Sequence, residues 1–336
     1  MATRPVCPAS LRRAEVGDAG TIDGSPDPDR HVMLQRWITR RRVLNGLAGL
    51  GAASVPLGGY AVAIEPMWLR ITHYRISPPG WPEGFKLELA VVADIHAGEP
   101  QMSIGRVEEI VTQTNALGAD AILLLGDYEA GHKLQTRRIP AREWAAPLAG
   151  LAAPLGVHAV LGNHDWWDDL EAQGRQSGPV RGRIELERVG IPVYENDVVR
   201  LEKQGQGFWL AGLGDQIALW TSRRNGRSRY LGVDDLEGTI GKVTDDAPIV
   251  LMAHEPDIFP RVPDRVAVTI SGHTHGGQVR MFGWAPIVPS RYGDRFAYGH
   301  IVETGRHLVV SGGLGCSIAP VRLGCMPEIL RLTLVA

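Results

Sequence analysis

The stretch Lys86-Leu87-Glu88-Leu89-Ala90-Val91-Val92-Ala93-Asp94-Ile95-His96 decides the fold. Its first eight residues form an apolar run of strand length, and the run ends directly in two side chains that bind metals. The same design recurs downstream. A helix is expected over 103–117, then a buried strand over 120–125 that ends in Gly126-Asp127. A third strand, 157–161, ends in Gly162-Asn163-His164-Asp165. Apolar strands with helical stretches between them indicate β-α-β units, and open α/β sheets place their sites at the C-terminal strand ends. The second half has a different grain. Residues 191–215 read as short strands with turns, and 247–253 is a strand ending in His254. Another, 266–270, ends in Ser271-Gly272-His273-Thr274-His275, and strands at 307–312 and 326–334 close the chain.

In an extended chain, residues two apart point to the same side, so Asp94 and His96 can grip one ion together, as can His273 and His275. A lone Asp-x-His arises more often by chance or as a helix cap. Four further clusters change that: Gly126-Asp127, Gly162-Asn163-His164-Asp165, Ala253-His254-Glu255-Pro256 and Gly272-His273-Thr274-His275. Five of the 11 histidines fall in these polar strand ends, which core packing alone does not explain. Glycine in these clusters lets the backbone turn sharply and approach a ligand closely.

The composition agrees with a globular domain. With 44% hydrophobic and 21% charged residues, 41 Gly and 23 Pro, the chain is globular and rich in turns, which excludes wholesale disorder. A formal charge of -2 supplies no general field for polyanions, so neither nucleic acid nor an acidic membrane surface is implied as a partner. Cys7 lies in a segment expected to be removed. Cys316 and Cys325 remain, as a disulfide or as two buried thiols, and no zinc-finger spacing exists.

Residues 1–38 read as a disordered polar lead-in. Thr39-Arg40-Arg41-Arg42-Val43-Leu44-Asn45 then precedes a Gly- and Ala-rich apolar run to Ala63, the order of a charged n-region before an h-region. It resembles a twin-arginine export signal, with Ala61-Val62-Ala63 as a small-x-small cleavage site. The alternative is an N-terminal membrane anchor. The repeated Gly leave the run poorly hydrophobic and favour the signal. Met33 is a candidate internal start. The partner expected from it is therefore the export machinery, with the membrane touched only through this segment. The location expected is the periplasm or cell envelope. Residues 1–63 carry eight Lys or Arg against five Asp or Glu, so the remaining domain, 64–336, is mildly acidic and needs bound metal for positive potential.

Through these five clusters the chain resembles the calcineurin-like metallophosphoesterases, whose pattern is D-x-H, G-D, G-N-H-D or E, H and G-H-x-H in that order. The resemblance runs from about residue 86 to the C-terminus. GHTHGGQVR at 272–280 and SGGLGCSIAPVRLGCMPEI at 311–329 are similar to a bacterial branch that carries a twin-arginine signal and hydrolyses phosphodiesters. The resemblance implies an α/β fold, a four-layer αββα sandwich of two mixed β-sheets flanked by helices. It implies that Asp94, His96 and His275 hold one ion, that Asn163, His254 and His273 hold another, and that Asp127 bridges them. Imidazole and oxygen ligands suit manganese as the leading choice, with iron or zinc as the others. Such a pair, about 3.5–4 Å apart, activates a bridging hydroxide for in-line attack at phosphorus. The resemblance makes His164 the residue that protonates or stabilises the leaving oxygen of the phosphate-ester substrate.

Other residues receive weaker readings. Asp165 reads as a turn or supporting residue, and Trp166 and Trp167 as a cleft wall or loop packing. Arg223, Arg224, Arg227 and Arg229 read as a solvated loop, with a hold on phosphate or an acidic polymer as the alternative. His158 reads as a core or edge side chain, and His73, His132, His300 and His307 receive no role. Phosphomonoesterase, pyrophosphatase on nucleotide- or lipid-linked substrates, and a noncatalytic scaffold are the rival functions. The first two depend on loops 97–102, 128–140, 166–180 and 276–300.

Overall fold

The computed structural model describes residues 55–129, 131–224 and 227–336, so the expectations for residues 1–54 lie outside the described residues. Pro56–Ala336 forms one compact unit. In chain order the strands are β1 (Arg70–Ile76), β2 (Leu87–Val92), β3 (Gly98–Glu99), β4 (Ala121–Leu124), β5 (Arg137–Arg138), β6 (Val157–Ala159), β7 (Asp197–Lys203) and β8 (Gln206–Gly212). They continue as β9 (Leu219–Arg224), β10 (Arg227–Leu231), β11 (Ile249–Met252), β12 (Val266–Ser271), β13 (Gly299–Glu303), β14 (Arg306–Val310) and β15 (Glu328–Leu334).

Two mixed sheets result. The first has the order β1-β15-β2-β4-β6 and the second β13-β14-β12-β11-β8-β7. Strands β2, β4 and β6 run parallel, as do β8, β11, β12 and β14, so each sheet delivers its chemical strand ends to one edge.

The alternation of side chains explains the layering. Along β2, Leu89 and Val91 point into a core with Leu123, Phe208, Leu210, Val250, Met252 and Val268, which is the space between the sheets. Ala90 and Val92 point the other way, onto Val107, Ile110, Trp144 and Leu148 of the flanking helices. In β11, Val250 and Met252 face inward, while Ile249 and Leu251 pack outward against Leu236, Ile258 and Phe259. Each sheet is thus buried on both faces, which is why its central strands read as continuous apolar runs. The αββα sandwich inferred from the sequence is the fold observed.

The helix expected over 103–117 is Ile104–Ala116, started by the Ser103 hydroxyl accepting from the Arg106 N–H. Several elements differ from the sequence expectation. The third ladder ends at Ala159, because the chain turns into a helix over Asn163–Trp167. Strand β1 was not foreseen: it is a largely exposed edge, held by parallel pairing to β15 rather than by an apolar pattern. The arginine run read as a loop lies instead on the β9–β10 hairpin.

Cys316 and Cys325 are buried and unbonded. Among the described residues no helix is long and apolar enough to cross a membrane.

Candidate metal centre

All five polar clusters emerge at the C-terminal ends of β2, β4, β6, β11 and β12, and the fold brings them together. Asp94, His96, Asp127 and His275 form one group whose donor atoms lie within 4.8 Å of one another, and Asp127, His254 and His273 form a second. Asp127 belongs to both. Its Oδ2 is 3.5 Å from His96 Nε2 and 3.3 Å from His254 Nε2. Asn163 joins the second group through Oδ1, 2.8 Å from His273 Nδ1.

The backbone is strained to achieve this. Asp94, His96, Asp127, His273 and His275 all have positive φ, between 49° and 68°. Left-handed conformations cost non-glycine residues about 1–2 kcal/mol each, and five at one locus mark a functional site rather than a turn preference. Close approach needs glycine as well. A Cβ on Gly162 would run into Asp127 and His254, and one on Gly272 would lie 2.6 Å from Asp94 Oδ2.

Backbone carbonyls fix the imidazoles. His254 Nδ1 donates to Leu125 O at 2.6 Å, His96 Nδ1 to Glu129 O at 2.8 Å, and His273 Nε2 to Pro289 O at 2.9 Å. The opposite ring nitrogens therefore face the centre. Burial keeps His273 below its ordinary pKa and so neutral. Its Nδ1 and the Asn163 Oδ1 are then two lone-pair atoms in contact, an arrangement that a cation satisfies. Asp94 Oδ2 and His254 Nε2 are buried without a hydrogen-bond partner, a costly state that a cation also removes. The residues present fit divalent metal.

The electrostatics agree. Burial pushes Asp94 up to about 7, helped by the neighbouring Asp127, and pushes His96 down to about 3. Burial and the adjacent His96 hold His275 well below its usual range. Asp127 moves against its own burial: His254 and His164 hold it ionised well below the usual carboxylate range. One strongly anionic carboxylate beside three imidazoles that burial keeps neutral, His96, His273 and His275, is a cation-binding arrangement. Asp127 raises the pKa of His254 against its burial, so a cation there would replace its proton.

His164 stands at the mouth. Burial opposes its protonation, but Asp127 and Asp168 together raise its pKa. Its Nδ1 is 3.8 Å from Asp168 Oδ2 and its Nε2 is 3.5 Å from Ser317 Oγ. Two cavities open beside it. One, of about 400 Å³, is lined by His132, Lys133, Arg138, Asp168 and Trp220; the other, of about 560 Å³, reaches the Asp127–His275 centre and is walled by apolar side chains of the 277–289 and 317–321 loops. His164 and Trp167 line both.

The weaker sequence readings divide. Trp166 is buried in the core, whereas Trp167 is a wall that stacks on Tyr230 at 4.9 Å. Asp165 does not face the centre. Its carboxylate accepts the N–H groups of Asp127, Tyr128 and Gly162, each at 2.9 Å. His158 is a core residue bonded to Leu155 O and Tyr194. His300 and His307 pair with each other on the β13–β14 hairpin.

Sequence reasoning missed Asp168, Glu129 and Arg322. Asp168 carried a signal, lying four residues after His164 at a helix end. Arg322 is fully buried, bonded to the carbonyls of Gly315 and Cys325, and its Nη2 lies 3.3 Å from His275 Nδ1. Nothing local in the sequence marks it.

A family model described as calcineurin-like phosphoesterase matches residues 87–277. The chain is 28% identical over 307 residues to Uncharacterized metallophosphoesterase YkuE of Bacillus subtilis (strain 168), a match covering 88% of this chain and 98% of that one. It is 27% identical over 309 residues to Phosphodiesterase YaeI of Escherichia coli (strain K12), covering 89% and 100%. A Transmembrane protein with metallophosphoesterase domain from Danio rerio is 28% identical over 298 residues, covering 86% of this chain but 62% of that longer one.

Proposed function

The chain belongs to the calcineurin-like phosphoesterase family and is a metal-dependent phosphoester hydrolase; from that premise we propose that it is a dinuclear phosphodiesterase working outside the cytoplasm. The observation that carries the dinuclear reading is Asp127, the one carboxylate common to both ligand groups. On this reading Asp94, His96 and His275 hold one ion, Asn163, His254 and His273 hold the other, and manganese is the first choice for both. Two cavities flanking His164 give room for a substituent on each ester oxygen, which favours a diester over a monoester. The E. coli relative's name carries the same activity.

Divalent ions bound there supply positive charge that acidifies water and stabilises the phosphoryl oxygens. The chain's own residues do the rest. His164 holds a proton at the cavity face, where the departing ester oxygen takes it, and Asp168 keeps that imidazole charged and aimed. Trp167 and its stacked partner Tyr230 shield the imidazole on one side. Asp165 clamps the Asp127 loop against the Gly162 turn, holding the shared carboxylate still.

The placement outside the cytoplasm, in the periplasm or cell envelope, rests on Thr39–Asn45 and the Gly-rich run after it, and on the likeness of 272–280 and 311–329 to the twin-arginine-exported branch. One panel tests the activity. The full chain, stripped by chelator and reloaded with manganese, should hold two ions and hydrolyse bis(p-nitrophenyl) phosphate with kcat/KM at least about tenfold above p-nitrophenyl phosphate, a modest barrier difference. The reverse preference would make it a monoesterase.

A further inference from the structure

The larger cavity is chemically unlike the other. Its outer wall is Val279, Pro286, Ile287, Ile318, Ala319 and Val321, while the smaller cavity carries Lys133, His132 and Arg138 beside two tryptophans. The scissile position at His164 lies where they meet. Around the apolar mouth, side chains that ordinarily avoid water face it: Phe282 is fully exposed, Ile287 is 69% exposed, Ile318 is 72% exposed, and Met281 and Trp284 are about half exposed. Scattered apolar residues need no explanation, but a continuous apolar cavity and rim do.

These loops are tied together and to the N-terminal helix. Arg280 N–H donates to Leu323 O and Leu323 N–H to Gln278 O, joining the 278–284 turn to the 317–323 loop. That loop receives the helix over 55–63: Arg322 N–H donates to Ala61 O, and the Gln101 amide bridges Val62 O and Pro320 O. Leu57, Val62 and Ile64 are exposed there, at the end of the apolar run that begins at Gly46. The segment whose alternative reading is a membrane anchor therefore joins the chain beside the apolar mouth.

We propose that the centre acts on a phosphodiester bearing an aliphatic chain, a glycerophospholipid-type substrate taken at a lipid surface. The inference rests on the phosphodiesterase reading. The chain lies in the apolar cavity against Ile287 and Ile318, the polar headgroup lies beside Lys133 and Trp220, and the Phe282–Trp284 tip enters the lipid surface. In the reaction, water provides the oxygen of the new P–O bond. The bond to one alcohol breaks with its electron pair, a proton reaches that alcohol oxygen, and nothing is oxidised or reduced. The membrane is then met through the mouth as well as the N-terminal segment, which goes beyond the composition-based expectation.

The test uses the full, manganese-loaded chain with three diesters: bis(p-nitrophenyl) phosphate, glycerophosphoglycerol and its dihexanoyl phosphatidyl counterpart below its micelle concentration. Acylation should raise kcat/KM at least about tenfold, the equivalent of roughly two buried methylenes. Ile287→Glu and Ile318→Glu, at exposed positions that tolerate charge in folding, should cut that acyl preference about fivefold or more. Phe282→Asp with Trp284→Asp should lower the rate on phosphatidylglycerol vesicles relative to the monomeric lipid. Hydrolysis of the nitrophenyl diester with no gain from acyl chains, or a gain that survives the Glu variants, overturns the inference and leaves the phosphodiesterase reading standing. Failure on all three diesters overturns that reading itself.

Discussion

Asp165 receives the backbone N–H of Asp127 at 2.9 Å, with the same carboxylate oxygen that accepts the N–H of Gly162. One buried acid thus joins the ends of β4 and β6, and through them the two loops that carry Asp127, Asn163 and His164. Its other oxygen accepts from Tyr128, which stacks on Trp144 in the helical layer. The centre is consequently braced against the outer core by the protein itself.

Asp165→Asn keeps the shape but turns one acceptor oxygen into a donor facing a backbone N–H. The metal-free protein should lose about 2 kcal/mol of stability, the order expected for a buried hydrogen-bond network broken at one member. Denaturant unfolding measures it. A variant as stable as the parent would show that the loops are held by other contacts.

Asp127→Ala removes the one side chain shared by both ligand groups. Both ions should be lost, not one, because each site keeps only its unshared ligands and the anionic charge that balanced them is gone. Elemental analysis after gel filtration reads the outcome. A variant that retains one ion per chain would mean that the bridging role is misassigned.

Glu129 is pushed up to about 7 by burial, with Asp165 adding to the rise, while its carbonyl orients His96. Unfolded, it titrates near an ordinary glutamate, so between those values the folded chain binds more protons and stability falls as pH rises. Below about pH 4 the group is protonated in both states and imposes no penalty. Glu129→Gln keeps the Trp144 contact and removes the charge. The metal-free variant should gain on the order of 2 kcal/mol over the parent at pH 8 and nothing at pH 4. An equal gain at both pH values would assign the effect to packing.

Export depends on Thr39-Arg40-Arg41 if the twin-arginine reading holds. Arg40→Lys with Arg41→Lys preserves charge and should strand the chain in the cytoplasm, as judged by fractionation. Unaltered export would assign another route.

The central architecture was legible because β2, β4, β11 and β12 are buried on both faces, so their apolar runs and the polar residues that end them stand out in one dimension. What escaped was non-local. Strand β1 has an edge pattern with polar residues and exists through β15, more than 250 residues away. The hairpin at 219–231 is short, arginine-rich and largely exposed at its described positions, so it mimics a solvated loop. Arg322 becomes important only when the C-terminal loop folds over His275. The positive φ at five ligand residues is also invisible in sequence, since neither Asp nor His announces a left-handed backbone as glycine does.

His164 differs from the ligands in facing the cavities, with Asp168 behind it and Ser317 beside it. His164→Ala leaves all seven proposed ligand side chains in place, so both ions should remain. The rate should fall about 10²–10⁴-fold, the span for loss of a positioned general acid. The loss should depend on the leaving group, because a nitrophenolate departs with little protonation while an alkoxide does not. Asp168→Asn should reproduce a smaller part of the same pattern, since it removes one of the two charges, Asp127 being the other, that keep the imidazole protonated, without removing the imidazole. It should also shift the alkaline limb of the pH–rate profile to lower pH, as expected when a carboxylate that raises an acid's pKa is neutralised. Equal losses on nitrophenyl and alkyl esters would remove the acid role from His164. Departure of metal from His164→Ala would instead place that imidazole among the ligands.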